Sequence, residues 1–266
     1  MDVYEMEIEN FTSKMIYENK EGYNVSAISN NKNLFALSKT VNTNDSDLFI
    51  YDRTTNKTTK INQTLSSNSA EDFTLDDKDF YFTTDADGEF SSLMKYNIES
   101  GKIEKVLQKD WDISGSYFTN NGKYRVTYIN EDGKNAIEVF DIAKGKNIDL
   151  PNVDGKSITN VGFSRDETKM RFYAGGSHTP SNLYIYDLES KKQTQLSDVL
   201  NKEIDLSKDL YFITSTEIDG AGENLPDNAL HIIERSAWWL HIIGILIFLN
   251  YLYYSKHLHI LLAFPN

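Results

Sequence analysis

The 266-residue chain has no cysteine and only 4 prolines. The first absence excludes disulfides, thiolate metal sites and a cysteine nucleophile, and leaves the compartment open. The second excludes proline-rich linkers. Cations are scarce as well: 27 Lys and Arg stand against 40 Asp and Glu, a formal net charge of −13. Such a surface repels phosphate backbones, so nucleic acid is not an expected partner. The opening Met1-Asp-Val-Tyr-Glu-Met-Glu7 lacks both a basic n-region and an apolar h-region, so no signal peptide is expected. What is present is core material. Apolar residues make up 39% and aromatics 12% of the chain, with 16 Tyr and 14 Phe, which rules out a wholly disordered polymer.

That material repeats. Leu48-Phe-Ile-Tyr-Asp52, Leu93-Met-Lys-Tyr-Asn97, Ile137-Glu-Val-Phe-Asp141 and Leu183-Tyr-Ile-Tyr-Asp187 share one plan, an alternating apolar run ending in an aromatic and then Asp or Asn. Polar turns follow each, and Ile61, Val106, Leu150 and Leu196 close the units. The aromatic positions Tyr51, Tyr96, Phe140 and Tyr186 lie 45, 44 and 46 residues apart. A second marker, a polar turn at Asn31, Asp77, Asn121 and Asp166, keeps nearly the same beat and precedes an apolar strand each time. A degenerate fifth copy stands at the start, with Met6-Glu7 one period before Tyr51-Asp52.

Each unit holds about four short period-2 strands, the length and content of a propeller blade. The expected class is all-β: a partial β-propeller of about four four-stranded antiparallel blades with WD40-like repeats, ending in an apolar helical tail. Blades are expected near 17–61, 62–106, 107–150 and 151–196, within a propeller arc over 1–206. An orphan strand around Val3 to Ile8 is expected to begin the arc. Blade strands should be covered on both faces, so Leu183/Ile185 and Tyr184/Tyr186 should all be buried.

The strand-and-turn phrases resemble WD40-like propellers in general. More narrowly, Phe163-Ser-Arg-Asp166, Ser181-Asn-Leu-Tyr-Ile-Tyr-Asp-Leu188, Gln193-Thr-Gln-Leu-Ser197 and Leu200-Asn-Lys-Glu-Ile-Asp205 resemble the last blade of a prolyl oligopeptidase-type (S9) serine peptidase. The resemblance covers residues 1 to about 226. It implies a propeller that gates substrate, joined through a linker near 207–228 to an α/β-hydrolase domain. That family's nucleophile sits in a Gly-x-Ser-x-Gly elbow, and no such elbow occurs here. Gly115-Ser116 and Gly176-Ser177 lack the flanking pattern. No catalytic residue is therefore expected, and the chain reads as a non-catalytic propeller fragment resembling the substrate-gating domain. The alternative is a membrane-anchored or soluble propeller module that binds peptides or proteins.

Residues 229–266 are different in kind. They carry only Glu234, Arg235 and Lys256, so the −14 charge of residues 1–228 is lost abruptly. They also hold Trp238, Trp239 and four of the 5 His. The run Ala237 to Tyr254 lies at the lower edge of the length that spans a bilayer. Three readings stand: a buried or surface-lying helix, a C-terminal membrane anchor, or translation out of frame, since Trp238-Trp239 shifted by one base reads Gly-Gly. Membrane contact through 237–254 and self-association are the corresponding expectations.

Other candidate sites have plain structural readings. Asp85-Ala-Asp-Gly88 could open a calcium loop, but position twelve would be Met94, whereas Asp-Gly suits a hairpin turn by itself. His257 and His259 lack a third ligand nearby, and His178 stands alone on a hairpin tip. The acidic tips at Asn44, Asp45, Asp47, Glu131 and Asp132 read as a solvated rim. No metal site and no cofactor is expected. Peptide or protein partners are expected at the propeller's edge strands.

Overall fold

A computed structural model describes residues 2–153, 156–176 and 179–199, and a helix at 227–254 whose side chains are described at 232 and 235–248. The chain divides into two compact units, Met1–Ile204 and Asp205–Asn266.

Unit one opens with a two-stranded ribbon, β1 (Val3–Met6) against β2 (Ser13–Tyr17). Four antiparallel sheets follow, each ordered as in the chain. The first is β3 (Asn24–Ile28), β4 (Leu34–Thr40), β5 (Ser46–Asp52) and β6 (Lys57–Lys60). The second is β7 (Asn68–Phe73), β8 (Asp79–Thr84), β9 (Ser92–Asn97) and β10 (Ile103–Leu107). Next come β11 (Asp112–Phe118), β12 (Tyr124–Glu131), β13 (Lys134–Asp141) and β14 (Lys146–Asn147). The fourth is β15 (Ser157–Phe163), β16 (Lys169–Gly176), β17 (Thr179–Asp187) and β18 (Gln193–Gln195). This is a partial β-propeller built from four-stranded blades, the class the repeats announce.

The turns show why the repeat is so regular. In the first hairpin of each sheet, Ser29, Thr74, Thr119 and Ser164 turn a hydroxyl onto the amide of Leu34, Asp79, Tyr124 and Lys169, at 3.0–3.1 Å. These four hydroxyls recur every 45 residues without deviation. The next positions in the same turns, Lys32, Asp77, Gly122 and Glu167, all have φ between 56° and 67° and keep the same period. The true counterpart of Asn31, Asn121 and Asp166 is therefore Asp76. The irregular spacing of the polar marker arises because Asp76 and Asp77 are adjacent and alike.

A second left-handed series, at Phe11, Asn56, Gly101, Gly145 and Lys191, marks the turn between the last two strands of each unit. Before it, the Asp or Asn that follows the aromatic caps the turn. Asp52, Asn97, Asp141 and Asp187 each accept a backbone amide two or three residues ahead, at 2.8–3.0 Å. Phe11 belongs to this series, which corrects the orphan-strand expectation. Strand β1 is a third-strand equivalent already paired with its fourth, β2.

The sheets stack face to face. Leu34, Ala36, Leu48 and Ile50 of the first pack with Phe73, Phe80, Phe82 and Met94 of the second. The second turns Leu93 and Tyr81 toward Ile113 and Ile129 of the third. Tyr124, Val126 and Val139 then meet Met170, Phe172, Tyr184 and Tyr186 of the fourth. The ribbon covers the outer face of sheet one, where Tyr17 lies 4.6 Å from Tyr51 between ring centroids. In the last sheet only one face is fully covered. Tyr184 and Tyr186 are 4% and 7% exposed, whereas Leu183 and Ile185 on the opposite face are half-buried. No further sheet lies on that face among the described residues, which is why both faces are not equally dry.

Unit two contains helix α1 (Asp227–Tyr254), with Trp238, Trp239, Leu240, Ile243, Ile247 and Phe248 all exposed. Among the described residues no helix is long and apolar enough to cross a membrane. Part of the anchor expected at 237–254, residues 249–254, lies outside the residues whose side chains are described.

Tyr186→Ala should destabilise unit one by about 3–5 kcal/mol, the usual result of deleting a buried aromatic. Ile185→Ala, on the half-covered face, should cost clearly less in the same urea titration. Equal losses would show that both faces of the fourth sheet are dry.

Candidate functional site

An arc of blades exposes two kinds of strand edge. The outer strands β6, β10, β14 and β18 are short and carry Lys, Thr, Glu and Gln. Brevity and charge are the usual means of discouraging further strand pairing. The inner strands β3, β7, β11 and β15 are longer, and every one breaks register near its middle. The breaks fall between Val25 and Ala27, Ala70 and Asp72, Ile113 and Gly115, and Thr159 and Gly162. Bulges of this kind re-aim side chains. Here the added residues include Ser26, Glu71, Ser114 and Asn160. Ser26, Ser114 and Asn160 are exposed and Glu71 is half-buried.

Neighbours in a regular strand point to opposite faces. The bulge at Glu71 breaks that rule, so Glu71 and Asp72 both reach β11. Glu71 Oε2 accepts the Ser116 amide at 2.8 Å and Asp72 Oδ2 accepts the Phe118 amide at 2.9 Å. The Thr83 hydroxyl donates to the other Glu71 oxygen at 3.0 Å. A Cβ at Gly115 would lie 3.5 Å from Glu71 Oε2, an ordinary contact, so the approach does not depend on glycine there. At the next joint the Tyr117 hydroxyl donates to the Val161 carbonyl at 2.6 Å, and burial pushes its pKa up.

The joints at the first-hairpin turns are also acidic. Asp77, held in the left-handed region, accepts the amides of Asn30 and Asn31 at 2.7 and 2.8 Å. Glu167 does the same for Asn121. Two grooves open beside these turns. One, about 410 Å³, lies between sheets three and four under Tyr124 and Tyr186, with Lys144, Lys146 and Lys191 on its walls. The other, about 300 Å³, is lined by Leu75, Phe118 and Ile142 at Gly122.

Residues 3–199 match the family model of the prolyl oligopeptidase N-terminal β-propeller domain. The chain belongs to that family. Its fold is shared with solved proteins that include the following three. A TolB from Acinetobacter baumannii is 14% identical with a TM-score of 0.53, over 74% of this chain and 48% of that one. A puromycin-hydrolyzing peptidase of Mycobacterium tuberculosis is 12% identical with a TM-score of 0.54, over 71% and 31%. A prolyl endopeptidase is 12% identical with a TM-score of 0.57, over 74% and 30%. The match thus spans about half or less of each of these longer chains. No curated protein matches significantly.

The residues flagged in the sequence fall into this prolyl oligopeptidase propeller as follows. Ser116 is buried within β11, donating to the Val126 carbonyl at 3.0 Å, and is no elbow. Asp85 accepts the Ser67 amide at 2.8 Å, so its carboxylate serves the chain's own backbone. Asp47 and Asp87 lie near Lys60 and Lys105, at 2.8 and 3.7 Å. No group of three metal-binding side chains occurs among the described residues. Ser177, His178, His257 and His259 lie outside the described residues. Sequence reasoning missed Glu71 and Asp72, because inner strands are polar and a bulge leaves no residue signature.

Burial pushes the carboxyls of Glu71 and Asp72 above the ordinary range, against the opposing pull of the Ser116 and Phe118 amides. The fold therefore holds these protons more tightly than the unfolded chain does. Their contribution to stability is full below the ordinary carboxylate value and is lost as pH rises through the raised one. Glu71→Gln should thus gain stability relative to the parent as pH rises through that window, in urea midpoints taken across a pH series. A widening deficit would reverse the assignment.

Proposed function

We propose that this chain supplies a non-catalytic propeller portion that screens or binds peptides, as the substrate-gating domain of S9 peptidases does, and cleaves nothing itself. The observation that supports this most directly is the family match over residues 3–199, which is confined to the propeller. The sequence adds that no Gly-x-Ser-x-Gly elbow occurs in the 266 residues. Acyl transfer needs nucleophile, base and oxyanion donors held together, and one of the two serine hydroxyls that follow a glycine, Ser116, is committed to the Val126 carbonyl of β12. The surface offered instead is the polar inner edge and the grooves between sheets, where extended peptides find unpaired backbone groups.

Purified protein should show neither peptidase turnover nor covalent labelling by a fluorophosphonate probe that marks activated serines. A labelled serine, lost on its replacement by alanine, would end the non-catalytic reading.

A further inference from the structure

The larger groove, between sheets three and four, is lined with cations in a chain whose net charge is −13. Lys144 and Lys146 come from the turn into β14, and Lys191 from the turn into β18. Lys144 is already matched, since its Nζ lies 2.9 Å from Asp141 Oδ2. The ammonium groups of Lys146 and Lys191 have no ion pair or hydrogen bond among the described residues. Asp149, the only acid in the lining, is unpaired as well. Two free ammoniums against one free carboxylate leave a single positive charge in excess.

The two tyrosines of the groove carry an independent signal. Tyr124 and Tyr186 are only 3% and 7% exposed. A tyrosine so buried ordinarily finds a partner for its O–H. Neither hydroxyl has one among the described residues, and neither is among the side-chain polar atoms sealed from water. Both rings line this groove, so their unmatched O–H donors open onto it. Ile148 and Leu188, each half-buried, supply apolar surface in the same lining.

We infer that this groove takes a carboxylate of a peptide, with the apolar part of the same residue against Ile148 and Leu188. A carboxylate only accepts hydrogen bonds, which matches a site whose unmatched groups are O–H and N–H donors. One negative charge cancels the excess, whereas a phosphate dianion would overshoot it. A cation would meet two free ammoniums with Asp149 alone in its favour. A neutral amide would fill the space and gain nothing from the charge. The inference rests on the arc being a peptide-binding element, and a labelled serine would overturn the non-catalytic reading without moving the signals followed here.

The test is methyl NMR of the full chain, following Ile148 and Leu188. N-acetyl-leucine should shift both residues' methyls saturably, and N-acetyl-leucinamide should bind more weakly. Lys146 and Lys191 are exposed, so Lys146→Gln and Lys191→Gln should fold normally. Each should weaken N-acetyl-leucine by about threefold, the scale of one exposed ion pair, and leave the amide unchanged. Tyr186→Phe keeps the ring and should weaken the acid by about tenfold, the scale of a hydrogen bond to a charged group. Acetyl-glutamate α-amide carries the carboxylate on its side chain instead. Saturation by N-acetyl-leucine supports a peptide's carboxyl terminus as occupant, and by the glutamate amide an acidic side chain. Failure of both acids, leucinamide binding as tightly as N-acetyl-leucine, tighter binding of inorganic phosphate, or unchanged affinity in both lysine variants would overturn the proposal.

Discussion

Each sheet in this chain carries apolar side chains on both of its faces, and neither face can remain in water. Phe80 and Phe82 point one way from β8 while Tyr81 points the other. Burying one such side chain stabilises by about 1.5–3 kcal/mol, so a sheet covered on one face gains only half of what its composition offers. Stacking recovers the rest, and it imposes a rule on the sequence. Every unit must present the same two surfaces at the same separation, which is why hydroxyls and left-handed residues recur at a fixed interval. The half-buried face at Leu183 and Ile185 is the same rule seen where the stack of described sheets stops.

The acidic composition is partly a consequence of that stacking. Carboxylates are acceptors, and the turns of a four-stranded meander leave backbone amides unpaired at fixed places. The amide and hydroxyl of Ser190 hold Asp187 below the usual carboxylate range, and the Ser164 hydroxyl does so for Asp166. Asp77, Glu167, Glu71 and Asp72 extend the principle across joints. Much of the excess of Asp and Glu is thus directed at the chain's own N–H groups, which weakens any argument from net charge to a cationic partner.

Legibility in the sequence follows from the same physics. The strands and the third turn could be read because alternation and Asp- or Asn-initiated turns have residue signatures. The register of the first turn could not be read to the residue at Asp76-Asp77, because two aspartates are chemically alike and only backbone φ separates the capping one from the bridging one. The inner bulges were invisible for a different reason. Ser26, Ser114 and Asn160 are ordinary exposed residues, and nothing in Ala70-Glu-Asp72 says that both acids turn the same way. Asn68 is similar: an asparagine in a polar stretch shows its unpaired oxygen only once its nitrogen's three partners are in place.

The three joints between sheets are not equivalent, and one glycine explains why. At the first and third joints an acid in the left-handed turn position grips the preceding turn. At the middle joint that position is Gly122, where an added Cβ would come within 3.1 Å of Leu75 Cβ. Any side chain there would meet Leu75 and adopt a strained φ of 66°. The carboxylate bridge is instead made from the inner strand by Glu71 and Asp72. The same joint buries Arg125, 5.0 Å from the Phe140 ring and 5.9 Å from Tyr81, with burial lowering its pKa. Glu71 and Asp72 sit half-buried on the strand, whereas Glu167 in the turn of the third joint is 1% exposed. Both strand acids are charged only against desolvation. The middle joint therefore draws its carboxylate bridge from groups whose charge the fold disfavours, and it weakens as they lose their protons.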